Sequence, residues 1–448
     1  PSSANHAAHH AHPETSSGPD RANILAEPLG SGTGWLPGGA QPHEHAVHVM
    51  AGGWMFMTHG EALLRYNTVN FNNRDRWSTR LPRSGGQSDY PRLERGGRIL
   101  DIPNWAMLSA ERATLGGGHL MLRGMLSLDP VTVGRKGYPL LYQTGEGLTD
   151  RQHPHDLFME LGVLYAHSVT DHQRVFAYAG LPGEPALGPV AFMHRGSIGG
   201  NPDAPLGHHF QDATHITHGV LTAGYIYRRT KLDASLFRGR EPDAERYNID
   251  VGPLDSWSVR VTQNVMDWSL QASHARLHAP EPHDHGNVHR TTVSVSRART
   301  YRPADPVRHE NTLVWGLNAG HHGTIAHSIL RESSLTARAG QVWTRWEILQ
   351  RGGEELDLVG SADVDRQYWV YALSIGAGRR ILTVAGTEFF LGAQGTLNLH
   401  DAELEPYYGR FPLAAQVFLK VRPASLFAKK TSAADAAPAA HDHGSHAP

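Results

Sequence analysis

The sequence predicts an all-β fold, an antiparallel transmembrane β-barrel of about sixteen strands (fourteen to eighteen), flanked by disordered His-rich tails. Three observations carry this. Segments of about 9–12 residues alternate apolar and polar side chains, the period of two that sends successive residues to opposite faces of a strand. Their polar faces hold Arg, Glu, Gln and Asn, which suit a wet lumen better than a dry core. The connections between them alternate short and long, as in a barrel with tight turns on one rim and loops on the other.

The segments run in order near 53–69, 103–113, 118–128, 156–167, 173–182, 215–228, 231–239, 254–264, 267–277, 288–299, 309–319, 323–335, 340–351, 367–377, 386–399 and 412–422. In the first, Trp54, Phe56, Ala62, Leu64 and Tyr66 share the face expected to meet lipid. Met55, Met57, His59, Glu61, Arg65 and Asn67 share the lumen face. In the third, Leu120, Leu122, Leu126 and Leu128 oppose His119, Met121, Arg123 and Met125. In the fourth, Leu157, Met159, Leu161, Val163 and Tyr165 are assigned to lipid and Glu160 to the lumen, with His167 at the far rim. In the eighth, Ser256, Ser258, Arg260 and Thr262 oppose Trp257, Val259 and Val261. Near the end, Gln394, Thr396, Asn398 and His400 oppose Ala393, Leu397 and Leu399.

Short connections fall near 114–117, 168–172, 229–230, 265–266, 336–339 and 378–385. Mostly long ones, 70–102, 129–155, 183–214, 240–253, 278–287, 352–366 and 400–411, alternate with them. Two connections break the pattern: 301–308 is moderate where a short turn is expected, and 320–323 is brief where a loop is expected. An even strand count then places both chain ends on the short-turn, periplasmic side of a bacterial outer membrane.

Outside the barrel span, 46–427, the composition changes. Residues 1–45 and 428–448 are rich in Ala, Pro, Gly, Ser and His and read as disordered. Across the 448 residues, 41 Lys and Arg balance 43 Asp and Glu, so no nucleic-acid partner is implied. The absence of cysteine removes thiolate sites, disulfides and cysteine nucleophiles, and fits an oxidising compartment. No run of eighteen apolar residues marks a membrane helix. No signal peptide is visible, but a chain that begins at Pro1 is compatible with a leader already removed. No motif encodes an oligomeric state.

The chemistry lies in 31 histidines. "RQHPHD" supplies His153, His155 and Asp156, and "GHHFQDATHITH" supplies His208, His209, Asp212 and His215. "HAPEPHDHGNVH" supplies His283 and His285, and "GHH" supplies His321 and His322. All are expected on the outer, long-loop side, where imidazole and carboxylate suit Cu, Zn and Ni. None has a strict ligand spacing, and a solvated loop histidine is the plain alternative for each. Of nine methionines, Met55, Met57, Met107, Met121 and Met125 fall on the lumen face of the first three strands, with His59 and His119. Thioether with imidazole is a soft set that suits copper, Cu(I) in particular, although methionine also fills irregular interiors. Glu61, Glu111 and Glu160 with Arg65 and Arg123 are expected to pair across the lumen and tune which ions pass. No phosphate loop or serine elbow points to catalysis, and no organic cofactor is implied.

The blocks "GEALLRYN", "NWAMLSAERATLGGG", "HLMLRGMLSLDPVT", "DRQHPHDLFMEL", "HHFQDATHITHGVLTAG", "SLFRGREPDAERYNID" and "LDSWSVRVTQN", over about residues 53–350, resemble a His-rich outer-membrane β-barrel family. In His- and Met-rich make-up the chain is more loosely similar to the CopB-like outer-membrane copper-resistance proteins, which implies a copper or heavy-metal role. The expected function is a porin-like, non-enzymatic barrel that binds or conducts transition-metal ions, copper first and zinc second, with weakening capture as imidazole protonates near pH 6. Its partners would be outer-membrane lipid, the metal ions and periplasmic metal-handling proteins. The alternatives are a general diffusion porin or structural protein with incidental histidines and, further off, a metal-dependent hydrolase built on "HPHD" and "HHFQD".

Overall fold

A computed structural model of the chain describes residues 24–77, 95–134, 137–142, 149–150, 154–243, 245–280, 286–301, 306–320, 324–353, 355–356, 358 and 366–424. One sheet contains eighteen strands. They are β1 (Val47–Ala51), β2 (Trp54–Val69), β3 (Gly97–Asp101), β4 (Asn104–Thr114), β5 (Gly118–Leu126), β6 (Phe158–Thr170), β7 (Gln173–Gly180), β8 (Val220–Tyr227) and β9 (Thr230–Phe237). They continue as β10 (Ser256–Val265), β11 (Trp268–His278), β12 (Asn287–Tyr301), β13 (Val307–Ala319), β14 (Ile325–Ala337), β15 (Gly340–Gly352), β16 (Gln367–Val384), β17 (Thr387–His400) and β18 (Leu413–Pro423).

Each strand pairs antiparallel with its sequence neighbour, and β2 closes the ring on β18. β3 and β4 share one wall position against β2, and β1 continues the line of β18 along the start of β2. The wall therefore has sixteen positions, the expected number. All sixteen predicted segments lie on wall strands. Three pieces were not foreseen. β1 falls in the barrel span just before the first predicted segment, β3 falls in a stretch read as a loop, and β16 runs on to Val384 through a stretch read as a connection. β3 is five residues long and β1 has five, too few for alternation to stand out.

The predicted face parity holds around the wall. Leu64 and Tyr66 are exposed while Arg65 and Asn67 are buried. Trp257, Val259 and Val261 are exposed while Ser256, Ser258, Arg260 and Thr262 are buried. Apolar side chains out and polar side chains in, on a closed ring, form the surface of a membrane-spanning barrel. Met159 is a correction: it is fully buried rather than lipid-facing. Met125 pairs with Glu160 and Leu126 with Phe158, so a β-bulge leaves Met159 unmatched and turns both Met159 and Glu160 inward.

Residues 24–45 are a second correction, because they are folded inside the lumen. Ile24, Leu25, Leu29, Trp35 and Leu36 are buried, and Leu29 pairs with Trp35 across a tight turn at Gly30–Gly34. The resulting wedge enters from the short-turn rim, where Arg174 donates to the Ile24 carbonyl, and returns to β1. At its tip, Arg123 donates to the Gly32 carbonyl over 2.8 Å and Lys231 donates to the Thr33 carbonyl. The Thr33 hydroxyl donates to Asp233 and accepts from Arg260, both over 2.8 Å. A polar segment with few apolar residues reads as disordered because its partners are not in the segment; they are the charges of the lumen wall. Residues 1–23 and the tail 428–448 lie outside the described residues.

The long connection 181–219 also folds inward. Gly188 N donates to Ser273, Ser197 to Thr312, and Asp203 accepts from Arg65, Gln394 and Gln416. Gly32, at φ +51°, lies so close to this loop that a side chain there would come within 2.8 Å of the Glu184 Cβ. The wedge and the loop together occupy the lumen and leave a cavity of about 620 Å³ on the β2–β4 and β13–β18 side.

Candidate metal centre

The cavity runs from the short-turn rim, at Arg338, Arg380 and Arg422, to His155 and Asp129 below the long loops. Its rim charges are largely paired: Lys420 with Glu61 at 3.0 Å and Arg422 with Glu388 at 2.8 Å, while Arg308 bonds Glu310 and Glu44. Among the lumen charges singled out from sequence, Arg123 and Glu160 pair with each other at 2.8 Å. The others find different partners: Arg65 takes Asp101 and Asp203, and Glu61 takes Lys420. Glu111 lies half-buried on β4.

Halfway in, the soft side chains gather. Met57, Met107, Met125 and Met159 form one buried cluster with Trp105, Ala46 and Ile216, and Met193 packs against it. Parity places the first three on adjacent strands β2, β4 and β5; the bulge adds Met159 and the inward loop adds Met193. Trp105 stands between two imidazoles: His59 meets it edge-on at 4.9 Å and His194 at 5.3 Å. Burial pushes His194 well below the usual imidazole range, and positive charge at His59 and Arg123 acts in the same direction, so it is neutral and able to ligate. Met55 stays near the β1–β2 turn, His119 stays at the short-turn rim, and Met121 belongs instead to the buried cluster that includes Ile24 and Leu25 of the wedge. These three do not join the cluster.

At the inner end, two sequence motifs meet. His155 and Asp156 of the first converge on His208, His209 and His215 of the second around a small pocket that Glu241 and Arg246 also line. The rings of His208 and His215 stand 5.0 Å apart, His155 and His215 6.0 Å, and His208 and His209 5.7 Å. These residues were expected on the outer, long-loop side, where loops enter the fourth and sixth strands. They lie inside because loop 181–219 folds into the lumen, and His208 and His209 are buried. His153, His283, His285, His321 and His322 lie outside the described residues.

Hydrogen bonds fix how these rings present themselves. His208 Nδ1 donates to Asp212 Oδ1 over 2.6 Å, His215 Nδ1 to the Asp212 carbonyl over 3.0 Å, and His155 Nδ1 to Asp129 Oδ2 over 3.2 Å. Each acceptor is a carboxylate or carbonyl oxygen, so each neutral ring carries its proton on Nδ1 and its lone pair on Nε2. Burial alone would raise the Asp212 carboxyl, but Arg195, 2.7 Å away, and His208 outweigh it and hold the group well below the usual carboxylate range. An outer acceptor that orients a ring in this way is how metal-ligating histidines are set up. Two imidazoles on one tetrahedral ion at about 2.1 Å would hold their ring centres about 5 Å apart, the spacing of His208 and His215. Among the described residues, no three His, Asp or Glu side chains already form a closed coordination group.

Sequence reasoning missed Met159, Met193, His194, Trp105 and Asp129. Met159 required the bulge, and Met193 and His194 required the inward path of a 39-residue connection that parity cannot follow. Asp129 was hidden because its partner, His155, lies 26 positions on.

No family model matches the chain, and no curated protein matches it. Among solved structures it is similar to OmpF of Salmonella typhi in complex with daunomycin, at 9% identity, over 84% of this chain and 99% of that one, with a TM-score of 0.47. It is also similar to the anion-selective porin from Comamonas acidovorans, at 9% identity, 82% and 99% coverage and a TM-score of 0.47. The outer membrane channel DcaP of Acinetobacter baumannii matches at 11% identity, 83% and 98% coverage and a TM-score of 0.42. The likeness is one of barrel fold.

Proposed function

We propose that the chain is a porin-like outer-membrane barrel that binds soft transition-metal ions and passes them along its lumen, with copper as the foremost cargo. The observation that carries this reading is the gathering of Met57, Met107, Met125, Met159 and Met193 around Trp105 between two imidazoles, with Met107, Met193, His59 and His194 lining one cavity. Thioether sulfur and neutral imidazole are the donor set for Cu(I). The oriented Nε2 atoms of His155, His208 and His215 would take the ion at the inner end. Successive incomplete sites suit passage, since conduction needs binding weak enough to release.

A general diffusion pore is the weaker reading, because the wedge and loop 181–219 fill much of the lumen. Calorimetry on the detergent-purified chain with Ag(I), a redox-inert stand-in for Cu(I), tests the proposal. Binding that falls in a Met107→Leu/Met159→Leu variant supports it. Binding that is unchanged in that variant belongs to other histidines and removes the soft lumen site.

A further inference from the structure

We propose that the outer surface of β10–β12, at its long-loop end, binds the phosphate of an anionic lipid headgroup through Arg276, His274 and His289. The inference is independent of the metal reading and begins from register. Trp257 pairs with Arg276, and Arg276 with His289, so the three side chains form one row across three strands. The row below runs through Val259, His274 and Thr291. All of these lie on the outward parity, with exposed Leu270 and Val293 beneath them.

The depth follows from the two tryptophans of this face. Trp268 opens β11 at the short-turn rim, with Arg297 over its ring. Arg276, beside Trp257, is eight positions along the same strand. At about 3.3 Å per residue and a tilt of about 40°, that is about 20 Å of height, close to the apolar belt of such barrels. Trp257 and Trp268 therefore mark the two interfaces, and Arg276 stands at headgroup level on the loop side.

The polar atoms there are arranged for an anion. The rings of His274 and His289 stack at 5.7 Å and 22°, and His274 Nδ1 lies 2.9 Å from the Thr291 hydroxyl. Among the described residues, Arg276 has no ion pair. The nearby carboxylate, Asp255, is engaged by Gly239 N and the Ser256 hydroxyl. A guanidinium at the membrane interface, flanked by two imidazoles and a Trp, matches a phosphate ester whose chain lies over Ala272 between Val261 and Val293.

Native mass spectrometry of the full chain tests this with three probes: dilauroyl phosphatidic acid, dilauroyl phosphatidylcholine and inorganic phosphate. The expected result is retention of phosphatidic acid over phosphatidylcholine, lost about tenfold in Arg276→Ala/His289→Ala and largely kept in Arg276→Lys. Heat-modifiable migration on a gel checks that each variant is a folded barrel. Equal retention of the two lipids, or phosphatidic acid unchanged by the double substitution, overturns the proposal. Displacement of the lipid by millimolar inorganic phosphate also overturns it, since the patch would then be a free-phosphate site.

Discussion

His208 donates from Nδ1 to Asp212 Oδ1 over 2.6 Å, one helical turn along the inward loop, and the same carboxylate accepts from Arg195 at 2.7 Å. Asp212 thus orients an imidazole and neutralises a buried guanidinium at once. Asp212→Asn keeps the shape and removes the charge. Metal affinity at the inner site should fall about 10–100-fold, the usual cost of losing an orienting partner. Breaking the buried pair should destabilise the loop by about 3–5 kcal/mol. Calorimetry and thermal unfolding of the variant read the two effects separately.

The wedge makes a second prediction. Its tip satisfies Arg123, Lys231 and Arg260 of the wall through the carbonyls of Gly32 and Thr33 and the Thr33 hydroxyl. Deleting residues 24–42 should leave an assembled barrel, since the wall strands pair without them. Planar-bilayer recording should then show larger and longer openings than the intact chain. Equal conductance with and without the wedge would mean that it does not obstruct the lumen.

Glu184 gives the wedge a pH dependence of stated sign. Burial raises its carboxyl from 4.5 to about 8, against opposing effects from a Ser31 hydrogen bond and Arg260. The docked state therefore holds a proton that the undocked state releases, and docking weakens as pH rises between about 4.5 and 8. Amide exchange across residues 24–36 should speed up over that window. In Glu184→Gln, which carries no titratable proton, the rise beyond the ordinary base dependence should disappear.

Metal binding has its own pH signature. An imidazole must be neutral to ligate, and burial keeps His194 neutral well below the ordinary range. An ion held by His194 and the methionines should therefore remain bound at pH 5.5, where ordinary surface imidazoles are mostly protonated and release theirs. His194→Ala should lose this acid-resistant fraction in a silver-binding assay. Loss of all binding at pH 5.5 in the unsubstituted chain would place the ion on exposed histidines instead.

Strand positions and faces were readable because each wall strand carries the period-two pattern over eight or more residues, as in the alternation of Arg260 and Val261. Met57, Met107 and Met125 were placed in the lumen by the same parity. Met159 was misplaced because one bulged residue reverses parity locally, and no composition cue marks the bulge. The wedge was unreadable because Thr33 and Gly32 are stabilised by Lys231, Arg260 and Arg123, 91 to 227 positions away. The histidine motifs were recognised as ligand-rich, but their convergence depended on a loop folding inward, which sequence alternation does not encode.

The most direct measurement of a soft-ion path through the lumen is anomalous diffraction from crystals of the full chain soaked with Ag(I). Such a path gives a peak among the sulfurs of Met57, Met107, Met159 and Met193 beside Trp105, and a weaker one between His208 and His215. Anomalous density confined to the terminal histidines, with none in the lumen, would contradict it.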